Sequence, residues 1–275
     1  MLTKRNPKQE GSPVFDCRPQ TGLCPNNCSQ CFYNRPNAFY NNIDQPSIPS
    51  PEEVGTGIVR MNCGHDSNIQ RELVIETAKQ YEKVFFNTSI PNLDFPGPVV
   101  LTANPKEEEE PMSPYSMDWP NERTEETVKN VMFVRFRVSP TNLHLVSSGI
   151  RNWIAFGVPC VLTFMAYYDQ EPPGCEKDQL SGNYYFKTFS EHSCPMKCYT
   201  WQQRHINSYY CATEGFMEYV TMKMKKMGGR LVSRCGTTGS RYCKACHNCE
   251  AYYYQTVKHL RESLHWSRYE EGDIL

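Results

Sequence analysis

Short β-rich runs alternating with longer helix-compatible segments constrain this chain more than any other feature. Six runs read as strands: Val14-Phe15 with its flanks, Val84 to Phe86, Val99 to Leu101, Val131 to Val138, Val158 to Phe164, and Leu231-Val232 with its carboxyl-terminal flank. Strands separated by helical lengths read as βαβ units, which lie parallel in one sheet with helices against it. Between the first two runs, Ser50-Pro51-Glu52-Glu53 carries the cap, N1 proline and acidic first turn of a helix start. It predicts helix over Pro51 to Lys83, broken into two pieces by Gly55, Gly57 and Gly64. The clearest helix is Asn142 to Phe156, where Leu143, Val146, Ile150, Trp153 and Ile154 share a face and Gly157 stands at the C-cap. A chain of 275 residues fits one α/β barrel-type domain or two smaller ones.

Fourteen cysteines are the second constraint. The number is even, as a disulfide framework requires, but the amino-terminal Met1-Leu2-Thr3-Lys4-Arg5-Asn6-Pro7-Lys8 has no apolar stretch behind it to serve as a secretory leader. No run approaches the roughly 20 apolar residues of a membrane span. The expectation is a soluble, cytoplasmic protein with no membrane partner, whose thiols are kept for metal in a reducing compartment. A formal net charge of -1 gives no global basic field for nucleic acid. The run Glu107-Glu108-Glu109-Glu110 lies in a proline-bounded loop and reads as solvated.

Three of the cysteines stand in Cys24-Pro25-Asn26-Asn27-Cys28-Ser29-Gln30-Cys31-Phe32-Tyr33, directly after the first strand. Three thiolates on one loop can each bind one iron of a [4Fe-4S] cluster and leave the fourth iron open, whereas a closed zinc site normally takes four ligands. Half of a zinc knuckle, or cysteines awaiting disulfide partners, would show the same spacing. The C-x3-C-x2-C loop resembles that of the radical S-adenosylmethionine (radical SAM) enzymes. In that family the open iron chelates the amino and carboxylate groups of SAM, and one electron releases a 5′-deoxyadenosyl radical. The residue before the third cysteine is commonly aromatic there and is Gln30 here. Phe32 and Tyr33 are the candidates to replace its packing against adenine.

The resemblance implies an incomplete (β/α)6 barrel over residues 12–240 with chemistry at the carboxyl ends of the strands. It also implies SAM contacts. Asn87, Thr88 and Ser89 follow the second predicted strand, where the family uses small polar groups for the SAM amino group. Arg137 and Ser139 end the fourth, where a basic residue and a hydroxyl reach the carboxylate and ribose. Met165 or Tyr167 would cover adenine. The plainer readings are that Arg135 and Arg137 reach outward from an amphipathic strand and that Met165 is a core residue. An electron donor such as flavodoxin or ferredoxin is implied as partner, and the substrate is not written in the sequence.

A second group closes the chain: Cys235, then Cys243-Lys244-Ala245-Cys246-His247-Asn248-Cys249, a ferredoxin-like C-x2-C-x2-C run. Cys235 can complete a four-thiolate set, or His247 can replace one member. Either a second [4Fe-4S] cluster or zinc suits these ligands, and the expectation favours the cluster. Residues 241–275 then form a cysteine-rich extension with a helix. Residues 170–215, with Cys175, Cys194, Cys198 and Cys211 among many aromatics, read as an insertion folded as a lid with its own small core. Cys17, Cys63 and Cys160 read as buried free thiols. Two other classes share these features: a zinc-rich binding protein for nucleic acid or protein, and an iron-sulfur electron carrier without SAM chemistry.

Overall fold

The computed structural model describes residues 7–28, 30–33, 43–104, 125–168, 170–186, 196–203, 208–240 and 242–272. Its first six strands are β1 (Val14–Cys17), β2 (Ile58–Met61), β3 (Val84–Thr88), β4 (Val99–Ala103), β5 (Val131–Val138) and β6 (Cys160–Phe164). A second sheet is then inserted, built from β7 (Ala166–Tyr167), β8 (Cys175–Lys177), β9 (Tyr184–Phe186), β10 (Lys197–Gln202) and β11 (Tyr209–Ala212). The chain returns to the first sheet with β12 (Val232–Arg234) beside β6.

The first sheet therefore has seven strands in the order β1-β2-β3-β4-β5-β6-β12, and every neighbouring pair is parallel. The strands follow one another in chain order without a reversal, so no switch point of the doubly wound type divides the sheet. β1 and β12 are its two edges. The inserted sheet is wholly antiparallel, in the order β7-β11-β10-β9-β8. Tyr167, Tyr184, Cys198 and Tyr199 of that insertion are buried in the main core, with Tyr199 tilted against Phe216 at 6.0 Å.

The helices are α1 (Pro51–Val54), α2 (Arg71–Ala78), α3 (Glu125–Val128), α4 (Leu143–Ile154), α5 (Glu214–Gly228), α6 (Cys243–Cys246) and α7 (Asn248–Gly272). Local chemistry sets several of their ends. The Ser50 hydroxyl accepts from Glu53 N at 3.1 Å to start α1, and Thr213 caps α5 by accepting from Phe216 N. Among the described residues no helix is long and apolar enough to cross a membrane.

The helix predicted over Pro51 to Lys83 is instead α1 and α2 with β2 between them. Thus the main sheet has seven strands rather than the six read from sequence. The reason lies at Gly57, where a Cβ would stand 2.6 Å from the Phe15 ring and 2.8 Å from the Pro13 carbonyl oxygen. That close approach lays Ile58-Val59-Arg60-Met61 beside β1, and all four residues are buried. A short strand buried on both faces has no alternation of apolar and polar residues by which to recognise it.

Alternation sorts the main sheet into two faces. Val59, Met61, Phe86, Val99, Leu101, Val134, Phe136, Cys160 and Leu162 share one core with Val74 of α2, Ile150 and Trp153 of α4, and Phe216 and Val220 of α5. The opposite face offers Val14, Ile58, Phe85, Val100, Phe133 and Val161, which pack with Tyr253, Tyr252 and Val257 of α7. Two residues further along the strands, the α7 face turns polar: Asp16, Arg60, Asn87, Thr102, Arg135 and Thr163. This face has an apolar tier closed by α7 and a polar tier toward the carboxyl ends.

Candidate metal centres

The loop leaving β1 has no regular hydrogen bonding, so side chains hold it. The buried Arg18 guanidinium donates to the Gln20 carbonyl at 2.8 Å, to Tyr33 Oη at 2.7 Å and to the Gln45 carbonyl at 2.8 Å. Tyr33 in turn donates to the Gly22 carbonyl at 3.1 Å, and its ring meets His65 edge-on at 6.1 Å. Gly64 makes room for that ring, since a Cβ there would lie 2.7 Å from it. Tyr33 is a post of the loop, 1 % exposed, whereas Phe32 is 39 % exposed.

Two tight turns carry the thiols, with Asn27 N donating to the Cys24 carbonyl at 3.3 Å and Cys31 N to the Cys28 carbonyl at 3.1 Å. Asn27 and Gln30 adopt left-handed backbone, φ 41° and 52°. Asparagine tolerates this region readily; glutamine rarely enters it without a tertiary hold. Gln30 has one, because its Oε1 accepts from Tyr168 N at 2.9 Å and ties the loop to the start of the inserted sheet. The position expected to be aromatic is here a tether.

The thiols of this loop act on one another. Burial pushes Cys24 up to about 12, and the charges of Asp66, Cys31 and Cys28 add to the rise. A cation binding these sulfurs displaces protons, and the stacked anionic charge that disfavours ionisation is what a cation relieves. Among the described residues, no three His, Cys, Asp or Glu side chains already stand converged as a metal-holding group. The donor set is three thiols on one loop at the carboxyl end of an edge strand.

The same end of the sheet holds buried oxygen acceptors without hydrogen-bond partners: Asn62 Oδ1, Asn87 Oδ1 and Thr163 Oγ1. Asn87 and Asn62 are 5 % and 2 % exposed. Buried polar atoms are nearly always hydrogen-bonded, so orphans gathered at one end of a sheet suit a ligand with donors. Arg137 lies at the same end, its Nη1 donating to Asn104 Oδ1 at 3.2 Å.

The other residues expected to meet SAM are placed differently. Thr88 is buried on the helix-covered side and donates to Asp66 Oδ1 at 2.7 Å. Ser89 gives both its N–H and its hydroxyl to Asp66 Oδ2, at 2.7 and 2.9 Å. Ser139 is fully buried, with its hydroxyl 3.1 Å from that of Thr141. Met165 and Tyr167 belong to the main core, and Tyr167 packs edge-on against Tyr199 at 5.4 Å. The geometry thus gathers Asn87 and Arg137 at the carboxyl ends and leaves Met165 and Tyr167 in the core. Asp66 and Asn26 escape a reading by sequence, although Asp66-Ser67-Asn68 is an Asx turn, with Asn68 N donating to Asp66 Oδ1 at 3.0 Å.

The carboxyl-terminal cysteines stand on regular structure. Cys235 directly follows β12, α6 carries Cys243 and Cys246, and Cys249 lies in the first turn of α7. His247 ends α6 in left-handed backbone with φ 51°, and its Nδ1 lies 3.1 Å from Glu250 Oε2. Asn248 Nδ2 donates to the Arg234 carbonyl at 2.8 Å and fastens the start of α7 to the end of β12. Cys235 and Cys246 share a hydrogen bond: the Cys235 thiol donates and rises, while Cys246 falls to about 5, helped by the N–H groups of Asn248 and Gly236. Cys249 and Cys246 act on both Cys235 and Cys243, so the four sulfurs form one electrostatic group.

Two arginines of the polar tier face that group. Arg60 favours the Cys243 thiolate and Arg135 favours that of Cys235. Arg60 is itself buried and held by Asp16 at 2.7 Å. Cys17 and Cys160 are buried free thiols, as expected, both pushed up to about 12 by burial. Cys63 is only partly buried, and Cys194, Arg204 and the run Glu107 to Glu110 lie outside the described residues. No protein-family model matches this chain, and no curated protein and no solved structure is significantly similar to it.

Proposed function

We propose that this chain is a radical SAM enzyme with a partial barrel, in which Cys24, Cys28 and Cys31 hold a catalytic [4Fe-4S] cluster. The observation that carries the reading is the three-thiol loop at the carboxyl end of the first strand of a parallel sheet whose strands follow in chain order. That is where chemistry sits in parallel βα folds. Bound there, the cluster and SAM together supply one-electron cleavage of a sulfonium and a 5′-deoxyadenosyl radical that abstracts hydrogen from the substrate.

The chain's own residues bind and orient. Arg137 offers a guanidinium fork to a carboxylate at the end of β5, a charge-assisted contact well matched in shape. Asn87 Oδ1 is the acceptor suited to an ammonium, since Ser89 has both donors engaged by Asp66. α7 seals the apolar tier beneath the polar one and keeps water from the closed end of the sheet. Cys235, Cys243, Cys246 and Cys249 hold a second metal against the α7 face, with Arg60 and Arg135 as counter-charges to a tetrathiolate. An electron donor such as flavodoxin or ferredoxin, in a reducing cytoplasm, completes the requirements.

Anaerobic metal analysis tests this assignment. Two four-iron centres give about eight irons per chain, and one cluster with a structural zinc gives about four irons and one zinc. Zinc without iron in anaerobically prepared protein would make the chain a zinc-rich binding protein instead.

A further inference from the structure

Asp66 is the most heavily hydrogen-bonded carboxylate of the described residues, and it stands beside the cluster loop. It is 3 % exposed. Its Oδ1 accepts from Thr88 Oγ1 at 2.7 Å and Asn68 N at 3.0 Å. Its Oδ2 accepts from Ser89 N at 2.7 Å, Ser89 Oγ at 2.9 Å and Asn26 Nδ2 at 3.1 Å. All five donors are neutral. The adjoining His65 is held toward its neutral form by burial, and its Nδ1 accepts from Asp66 N at 2.9 Å.

A buried carboxylate is costly unless hydrogen-bonded, and five donors saturate this one. The donors come from three places in the chain: Asn26 lies between Cys24 and Cys28, Asn68 follows β2, and Thr88 and Ser89 end β3. Asn26 Nδ2 also reaches Ser89 Oγ at 3.1 Å, which closes a ring of contacts around one oxygen. Gln20, at the root of the loop, donates to the Asp66 carbonyl at 3.2 Å and the Ile69 carbonyl at 2.7 Å. The loop touches the sheet's carboxyl ends through one residue.

We infer that Asp66 is a positioning residue that clamps the three-cysteine loop to the ends of β2 and β3 through Asn26, and that its carboxylate sets the charge beside the cluster. The first half concerns the metal-free chain; the second rests on the radical SAM reading. A fixed negative charge close to a cluster disfavours the added electron, so Asp66 holds the reduction potential down.

Asn26→Ala and Asp66→Asn separate the two halves. Asn26→Ala removes the loop side of the clamp and leaves the charge; Asp66→Asn removes the charge and keeps the shape. In metal-free protein both should speed hydrogen exchange over Cys24 to Cys31 by about tenfold, the loss of one charge-assisted hydrogen bond, with α4 and α5 unchanged. In iron-loaded protein both should release loop iron to a chelator faster, while only Asp66→Asn moves the midpoint potential of the loop cluster, to a more positive value. Wild-type exchange rates in both variants would overturn the clamp, and an unmoved potential in Asp66→Asn would overturn the charge role. Faster exchange in a chain that binds no iron at all would leave the clamp standing and refute the iron reading instead.

Discussion

The two cysteine groups solve the same problem with opposite materials. Cys24, Cys28 and Cys31 ride on an irregular loop shaped by Arg18, Tyr33, Gln30 and Asp66, none of them a thiol. Cys235, Cys243, Cys246 and Cys249 sit on a strand end, one helical turn and the start of a long helix that packs on the sheet. The loop brings three sulfurs and leaves a coordination position open, while the helical site brings four and closes the set. The difference teaches that open and closed metal sites are distinguished by what holds the sulfurs as much as by how many there are.

The sharpest way to break that contrast is to remove one group and read the other. Changing Cys24, Cys28 and Cys31 together to alanine should remove the loop iron and its visible absorption and abolish release of 5′-deoxyadenosine. The C-terminal metal should remain. Unchanged iron content by anaerobic elemental analysis would refute the ligand assignment.

The converse variant, Cys243, Cys246 and Cys249 to alanine, should remove the second metal, about four irons if it is a cluster. It should also lower thermal stability, because metal binding energy at a site absent from the unfolded chain is folding energy. Equal melting temperatures for this variant and the wild type, followed by circular dichroism, would mean that the metal does not brace α7.

Tyr253→Ala probes the closed site without touching a thiol. Tyr253 is buried on the α7 face, 6.5 Å from the Phe85 ring, and its loss should cost about 3 kcal/mol in a urea titration. Loop iron should be retained and the C-terminal metal held more weakly. The smallest effect belongs to Arg137→Ala, which should weaken SAM binding about tenfold, since a charge-assisted hydrogen bond contributes roughly 1.5 to 3 kcal/mol. Calorimetric affinity equal to wild type would leave Arg137 with only its bond to Asn104.

Much of the parallel sheet is legible in the sequence because its strands are punctuated. Val131 to Val138 is β5 residue for residue, and the helix read over Asn142 to Phe156 is α4 with one residue lost at the start and two at the end. β2 is hidden because Ile58-Val59-Arg60-Met61 is buried on both faces and offers no alternation, and because Arg60 masks the run as polar. Only Gly57 against Phe15 betrays it, and that contact is between strands. The separate sheet of the insertion agrees with a folded lid, but its burial of Tyr167 and Tyr199 in the main core has no signal in the sequence.

Of the candidate site, the thiols are legible because ligand chemistry is written in spacing. The residues that hold them are not. Asp66 sits 42 residues beyond Cys24 in the numbering, and its role depends on donors from Asn26, Asn68, Thr88 and Ser89 that only folding assembles. Thr88 and Ser89 show the same limit from the other side: in the sequence their hydroxyls read as ligand contacts, and in the fold they are engaged by Asp66.

The central claim is that the open, three-thiol site does one-electron chemistry on SAM, and it is tested most directly without any substrate. Purified anaerobically, loaded with iron and given a strong reductant and SAM, the wild-type chain should release 5′-deoxyadenosine and methionine slowly, and the Cys24, Cys28 and Cys31 triple variant should release none. Iron-loaded wild-type protein that leaves SAM intact, or a triple variant that cleaves it at the wild-type rate, would contradict the account.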